Sequence, residues 1–281
     1  MISQVDLHLH STASDGQFSP AELVAMALER GLLVIALTDH DTTEGVDEAL
    51  EAAKGTGLEV IPGIELSTDV PQEEVHLLGY YLDHHNPAFQ EKLRAMRDAR
   101  RQRAKRMLAK LAALGLPLEW ERVAELAGGG TIGRPHIAQA MVERGYVAST
   151  EEAFARYIGR NGPAYVERYK LSPLEAIRLI KEAGGLPVLA HPIKVLDLLP
   201  SLVNGGLVGL EVYYNNYSEE EIEELARLAR KFDLIPTGGS DFHGPAVMET
   251  VEIGGIWVPM ESVERLRALS KRKKLQRIIK D

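Results

Sequence analysis

Apolar and polar positions alternate from Val5 to Leu9, the period-two pattern of a strand, so His8 and His10 are predicted to project from one face. Residues 32–37 are continuously apolar and of strand length, which fits a parallel strand buried on both faces. Residues 58–64 predict a third strand and 75–82 a fourth, with His76 near its start. Helical stretches lie between. Ser19-Pro20-Ala21-Glu22 reads as a capping box opening a helix that Gly31 ends, and a second helix runs to about Lys54 before Gly55 and Gly57. This strand–tip–helix rhythm predicts a parallel sheet whose polar tips gather on one rim.

The rhythm changes in the middle of the chain. Between about 87 and 170 helical patterns follow one another without strands: a long basic helix to about Leu114, then 118–127, one opening at Arg134-Pro135-His136, and 150–158. Gly128-Gly129-Gly130 and residues 159–163 read as turns. Alternation resumes at Ser172-Pro173-Leu174-Glu175, a second capping box. Strands follow at 186–190, 208–213, 234–237 and 256–258, with helices at 195–203, 219–232 and from Glu261 onward. The predicted organisation is an α/β domain in two segments, 1–86 and 171–281, around a helical insertion over 87–170.

Composition narrows the chemistry. Cysteine is absent, which removes disulfides, thiolate nucleophiles and sulfur-ligated zinc. No apolar run approaches the roughly 20 residues of a membrane span, and the N-terminus has no signal-peptide pattern, so a cytoplasmic protein with no membrane partner is expected. A net charge of −9 argues against a stable nucleic-acid partner. Residues 92–110 are nonetheless basic, as a small or short anionic substrate would require.

Nine candidate ligands fall at predicted strand ends: His8, His10, Asp15, His40, Glu65, His76, His191, Asp241 and His243. They include six of the nine histidines. Imidazole and carboxylate without sulfur suit manganese, zinc, iron or magnesium, and nine side chains exceed one tetrahedral site. Two or three divalent cations are therefore expected, with manganese first.

Five stretches then carry a resemblance: Asp6-Leu7-His8-Leu9-His10-Ser11-Thr12, Thr38-Asp39-His40-Asp41, Pro62-Gly63-Ile64-Glu65, Ala190-His191-Pro192 and Gly239-Ser240-Asp241-Phe242-His243. In order and on both sides of the insertion, they resemble the motifs of the polymerase and histidinol phosphatase (PHP) family of metal-dependent phosphoesterases. The resemblance implies a distorted (β/α)7 barrel with a metal cluster at its carboxyl rim. It implies one ion held by His8, His10, Glu65 and Asp241, and a second by Glu65, His76 and His191 with Glu65 shared. A third would be held by Asp15, His40 and His243. Such paired cations lower the pKa of a shared water, and the resulting hydroxide attacks phosphorus in line. His191 or His243 could protonate the leaving oxygen if not fully used as a ligand.

Arg134 is expected to clamp a phosphate, with His136 beside it, because the resemblance extends to this Arg-x-His and the helix N-terminus adds N–H donors. Leu93, Met96, Met107, Leu108 and Leu111 form an apolar stripe on the basic helix, whose charges read as a solvated face. Asp6 and Asp39 are expected to orient ligand imidazoles. Asp41 and Glu44 read as helix-start residues, and His84 and His85 as a polar turn. The implied activity is hydrolysis of the 3′-phosphate of nucleoside 3′,5′-bisphosphates, such as adenosine 3′,5′-bisphosphate to AMP. The alternatives are a 5′→3′ exonuclease on short 5′-phosphorylated RNA or DNA, and a non-catalytic metal-binding module.

Overall fold

Seven short strands pair in the order in which they occur: β1 (Val5–Leu9), β2 (Val34–Leu37), β3 (Glu59–Asp69), β4 (Glu74–Tyr80), β5 (Leu186–Leu189), β6 (Gly209–Tyr214) and β7 (Ile235–Gly239). They come from a computed structural model that describes residues 3–70, 73–128, 130–167, 171–245, 247 and 250–278. The last strand returns to the first. The His10 amide donates to the Phe242 carbonyl at 3.1 Å, and the Ser240 amide to Asp6 Oδ1 at 2.9 Å. The sheet is thus a nearly closed seven-stranded barrel, as the sequence implied.

Three expected features are corrected. The sheet is not wholly parallel, because β4 runs antiparallel to both β3 and β5. The third strand does not stop at Ile64 but continues to Asp69, which pairs with Glu74. So short a link can join only antiparallel neighbours. The consequence is functional: in a parallel β4 His76 would lie at the floor, whereas here it pairs with Ser67 at the rim. The predicted strand at 256–258 does not form. There the Val258 amide donates to Ser3 Oγ at 3.3 Å, and its side chain packs with Val263 and Leu266.

Helices α1 (Pro20–Glu29), α2 (Val46–Ala52), α7 (Pro173–Glu182), α8 (Leu199–Gly205), α9 (Glu219–Lys231) and α10 (Met260–Ile278) serve the barrel. Capping boxes at Ser19/Glu22, Ser172/Glu175 and Ser218/Glu221 start α1, α7 and α9. Helices α3 (Pro87–Ala113), α4 (Trp120–Leu126), α5 (Arg134–Glu143) and α6 (Thr150–Ala153) fill the middle of the chain, and α6 continues into a π-helical turn, Phe154–Ile158. Helix α3 divides its apolar stripe. Phe89, Leu93 and Met96 join the barrel's outer core, while Met107, Leu108 and Leu111 join a separate core with Val123, Ile137 and Met141. Among the described residues, no helix is long and apolar enough to cross a membrane.

The barrel interior is built in two layers. Val5, Leu7, Val34, Ala36, Ile61, Tyr80, Val188 and Ile235 form one buried cluster, closed by Val263 and Leu266 of α10. Above this floor the inward positions become polar.

Candidate metal centre

A register slip in β1 between Asp6 and Leu9 makes that change possible. Leu7 packs in the interior cluster, whereas Leu9 packs with Leu23 and Val24 of α1 in a different one. The bulge turns the strand, so His8 and His10 follow the apolar residues into the interior rather than out of it. Opposite them stands Glu65, fully buried in the extended half of β3. His40 is delivered by a single bridge: the Asp41 amide donates to the Glu65 carbonyl at 2.9 Å, and the Glu65 amide to the Asp39 carbonyl at 3.2 Å.

Five imidazoles surround the Glu65 carboxylate. Its Oε2 lies 3.4 Å from His8 Nε2, 3.2 Å from His10 Nε2 and 2.9 Å from His40 Nδ1. Its Oε1 lies 2.9 Å from His76 Nδ1 and 3.1 Å from His191 Nε2. Asp241 Oδ1 approaches His8 Nε2 at 3.3 Å and His10 Nε2 at 3.1 Å. Asp15 Oδ1 is 3.4 Å from His243 Nε2, and its Oδ2 is 3.9 Å from His40 Nε2. The structure therefore brings all nine candidate ligands into one cluster. Their ligand atoms group as His8/His10/Glu65/Asp241, His40/Glu65/His76 and His10/Asp15/His40/His243.

The hydrogen bonding around these atoms fits divalent cations. His8 Nε2, both ring nitrogens of His10, Asp15 Oδ1, His40 Nδ1, Glu65 Oε2 and His76 Nε2 are buried without a hydrogen-bond partner. Buried polar atoms are rarely left so. Here His40 Nδ1 and Glu65 Oε2 are 2.9 Å apart and still do not meet hydrogen-bond geometry. Donor sets of imidazole and carboxylate converging in this way suit borderline divalent ions.

Electrostatics agree with that reading. Burial opposes the charge on Glu65, yet His40, His76 and His8 hold its carboxyl well below the usual range. Burial is likewise outweighed at Asp15 by His40 and His243, and at Asp241 by His8, so both carboxyls are lowered. Burial pushes His76 down to about 4. His8 is pushed down by burial but pulled up further by Asp241, Glu211 and Glu65, and ends well above its ordinary value.

Fixed partners hold the rings. His8 Nδ1 donates to Glu211 Oε1 at 2.8 Å, which leaves Nε2 for the centre. Glu211 Oε2 also accepts the His191 amide at 2.7 Å, steadying a residue whose φ is +28°. His243 Nδ1 donates to the Asp241 carbonyl at 2.8 Å, and the Tyr214 hydroxyl donates to Asp241 Oδ2 at 3.0 Å. Glu211 and Tyr214 were not foreseen from sequence. A lone acid inside the apolar run Leu210-Glu211-Val212 was the signal for the first. The expectation for Asp6 and Asp39 is corrected: they brace backbone, not imidazoles. Asp6 accepts the Ser240 and Gly254 amides, and Asp39 accepts the Ser11 amide and the Ser11 and Ser14 hydroxyls. The short side chain of Asp39 thereby ties down the loop that presents Asp15.

Helices α3 and α5 each contribute an arginine near the rim. Arg100 of α3 bonds Asp41 Oδ2 through Nε at 2.6 Å and Ser67 Oγ through Nη2 at 2.6 Å, so Asp41 is more than a helix-start residue. Its charge is felt at Asp15 and His40. Arg134 stands at the N-terminus of α5, 2.7 Å from Glu74 and over the ring of Phe154. His136 uses Nδ1 to accept the Gly133 amide at 3.1 Å, a capping bond. Neither Arg134 nor His136 belongs to the nine-residue cluster.

Comparison with known proteins supplies the lineage. A PHP domain profile matches residues 6–158, more than half of the chain. The chain belongs to the PHP family. Among PHP relatives, a 5′-3′ exoribonuclease of Haemophilus influenzae is 37% identical over 252 residues, covering 87% of this chain and 92% of that protein. A 3′,5′-nucleoside bisphosphate phosphatase of Chromobacterium violaceum is 32% identical over 257 residues, covering 87% and 88%. A solved structure from Bifidobacterium adolescentis, described as a candidate metal-dependent phosphoesterase, superposes with a TM-score of 0.85 at 34% identity, covering 93% and 94%. The fold is thus the PHP barrel, and the protein is a metal-dependent phosphoesterase.

Proposed function

We propose that this PHP enzyme hydrolyses the 3′-phosphate ester of a 5′-phosphorylated nucleotide, with a nucleoside 3′,5′-bisphosphate as its smallest substrate. In that role the nine clustered side chains hold two or three divalent cations, manganese first. When bound, such ions neutralise phosphoryl oxygens and make water a nucleophile at neutral pH. Glu65, common to two of the candidate ligand groups, would be shared between two ions. Glu211, Tyr214 and the Asp241 carbonyl fix the rings and carboxylate in orientation. His191 is the most exposed of the six clustered histidines, at 28% of its side chain, which suits it to deliver a proton to the leaving oxygen where its ring is not taken up as a ligand.

The observation that carries the substrate is the Arg134–Glu74 pair. Glu74 opens β4, and His76 follows it on the same face one two-residue step, roughly 7 Å, along the strand. A guanidinium is therefore held on the strand that presents His76, two residues from it, where a second phosphate would compete for it with Glu74. Binding energy from that remote group orients the reacting phosphate.

A second occupant of the same site has its own support. A cavity of about 250 Å³ runs between α3 and the 130–132 segment, lined by Arg94, Arg97 and Arg101 with Glu44 and Asp98. This favours a short 5′-phosphorylated RNA whose 3′ part leaves along α3, as do the relatives named exoribonuclease. A manganese-supplemented panel of adenosine 3′,5′-bisphosphate, simple monophosphates and 5′-phosphorylated oligoribonucleotides tests both. Arg134→Ala should lower kcat/KM on the bisphosphate 10- to 100-fold, since a charge-assisted clamp contributes about 1.5–3 kcal/mol, and barely change a monophosphate. Equal losses on both would remove Arg134 from phosphate reading. RNA digestion without bisphosphate turnover would make the enzyme an exonuclease alone.

A further inference from the structure

Outside the nine-residue cluster, the turn before α3 meets the start of α2. His84 Nε2 lies 2.9 Å from Asp47 Oδ1, and His85 Nε2 lies 3.3 Å from the same oxygen. Two consecutive histidines ordinarily point apart. Here their rings are 4.1 Å centroid to centroid, and both turn onto a carboxylate 37 residues upstream for His84. The turn is held in that shape: the His85 amide donates to Asp83 Oδ1, and Gln90 Nε2 donates to both the His84 carbonyl and Thr43 Oγ1.

We propose that Asp47, His84 and His85 form a second metal site, separate from the catalytic cluster, that takes one zinc ion. Ligands about 2.0–2.1 Å from a tetrahedral zinc stand roughly 3.3 Å from one another, which the two nitrogen–oxygen distances already approximate. All three ligand atoms lie within 4.8 Å. Two imidazoles and one carboxylate make a three-ligand set, and the exposure of Asp47 and His85, 65% and 69% of their side chains, leaves the fourth position to water.

The place of the site gives it a consequence. Asp47 belongs to the barrel, while His84 and His85 immediately precede the helix that carries Arg97 and Arg100 toward the rim. Arg97 already spans the same seam, pairing with Glu44 at 2.8 Å. An ion at Asp47/His84/His85 staples the root of the insertion to α2 and stiffens the platform on which those arginines sit.

The test compares manganese-loaded wild type with Asp47→Asn and His85→Ala under equilibrium dialysis against zinc chloride, with metals counted per chain. Wild type should hold one zinc more than either variant, and zinc should raise its melting temperature and slow amide exchange over 41–50 and 84–97. The variants should show neither response while keeping their basal turnover, which verifies their fold. Equal zinc uptake by wild type and both variants would overturn the assignment.

Discussion

At the scale of single residues, the centre depends on which atoms are left unpaired. Glu65 presents both oxygens to five imidazoles, and its Oε2 has no hydrogen-bond partner. Glu65→Gln replaces one candidate ligand oxygen by an amide nitrogen that cannot coordinate and removes a buried negative charge. Turnover should be abolished and metal content should fall while circular dichroism stays native. A Glu65→Gln variant with near-normal turnover and unchanged metal would remove Glu65 from its shared position. Glu211 acts differently, through His8 Nδ1 and the His191 amide. Glu211→Gln should weaken metal affinity about 10- to 100-fold, the usual cost of losing such an orienting partner. Excess manganese should restore much of the turnover, whereas it should not rescue Glu65→Gln.

At the scale of elements, the partly buried Arg100 ties α3 to the rim. Arg100 and Asp41 are 17% and 3% exposed, and Arg100 also holds Ser67 on β3. Asp41 occupies φ +53° and accepts the Ser67 amide at 2.9 Å, so helix, strand and tip share one network. Removing Arg100 leaves a buried carboxylate without its cation, a loss of about 3 kcal/mol. Arg100→Ala should therefore lower the denaturation midpoint, and Arg100→Ala/Asp41→Asn should recover part of it. Additive losses from the two substitutions would show that the pair is uncoupled.

At the scale of the whole molecule, the ligand cluster links stability to pH. With metal removed, the lowered carboxyls of Glu65, Asp15 and Asp241 contribute stability above their unfolded values of 4.5 and 3.8, and lose it as pH falls. His8, His10, His40, His191 and His243 are raised, against the push of burial, by the surrounding carboxylates. Their contribution is complete below 6.5 and is lost as pH rises through the raised values; His76, lowered by burial, opposes them. The chelated protein should thus melt highest between about pH 5 and 6.5 and less stably at pH 8. The manganese-loaded protein should gain over the same rise, because ions bind the deprotonated ligands. Scanning calorimetry of both forms at pH 6 and 8 checks the opposite slopes.

The chain's own pattern determined much of this protein. Alternation at Val5–Leu9, apolar runs ending in His, Asp or Glu, and capping boxes at Ser19 and Ser172 are local signals, so most strands and helices and the candidate ligands were legible one by one. Tertiary structure decided what local signals do not encode. The antiparallel β4 depends on how far β3 extends, and that extension alone lifts His76 to the rim. The bulge in β1 exists only against β2, and it lets an apolar floor and an imidazole roof share one strand. Asp6 and Asp39 read as partners for histidines but are used by backbone amides brought from residues 240, 254 and 11. Glu211, Arg100 and Asp47 acquire their meaning from partners 203, 59 and 37 residues away. Side-chain chemistry fixes what each residue can do, and only the packing of distant segments fixes which partner it meets.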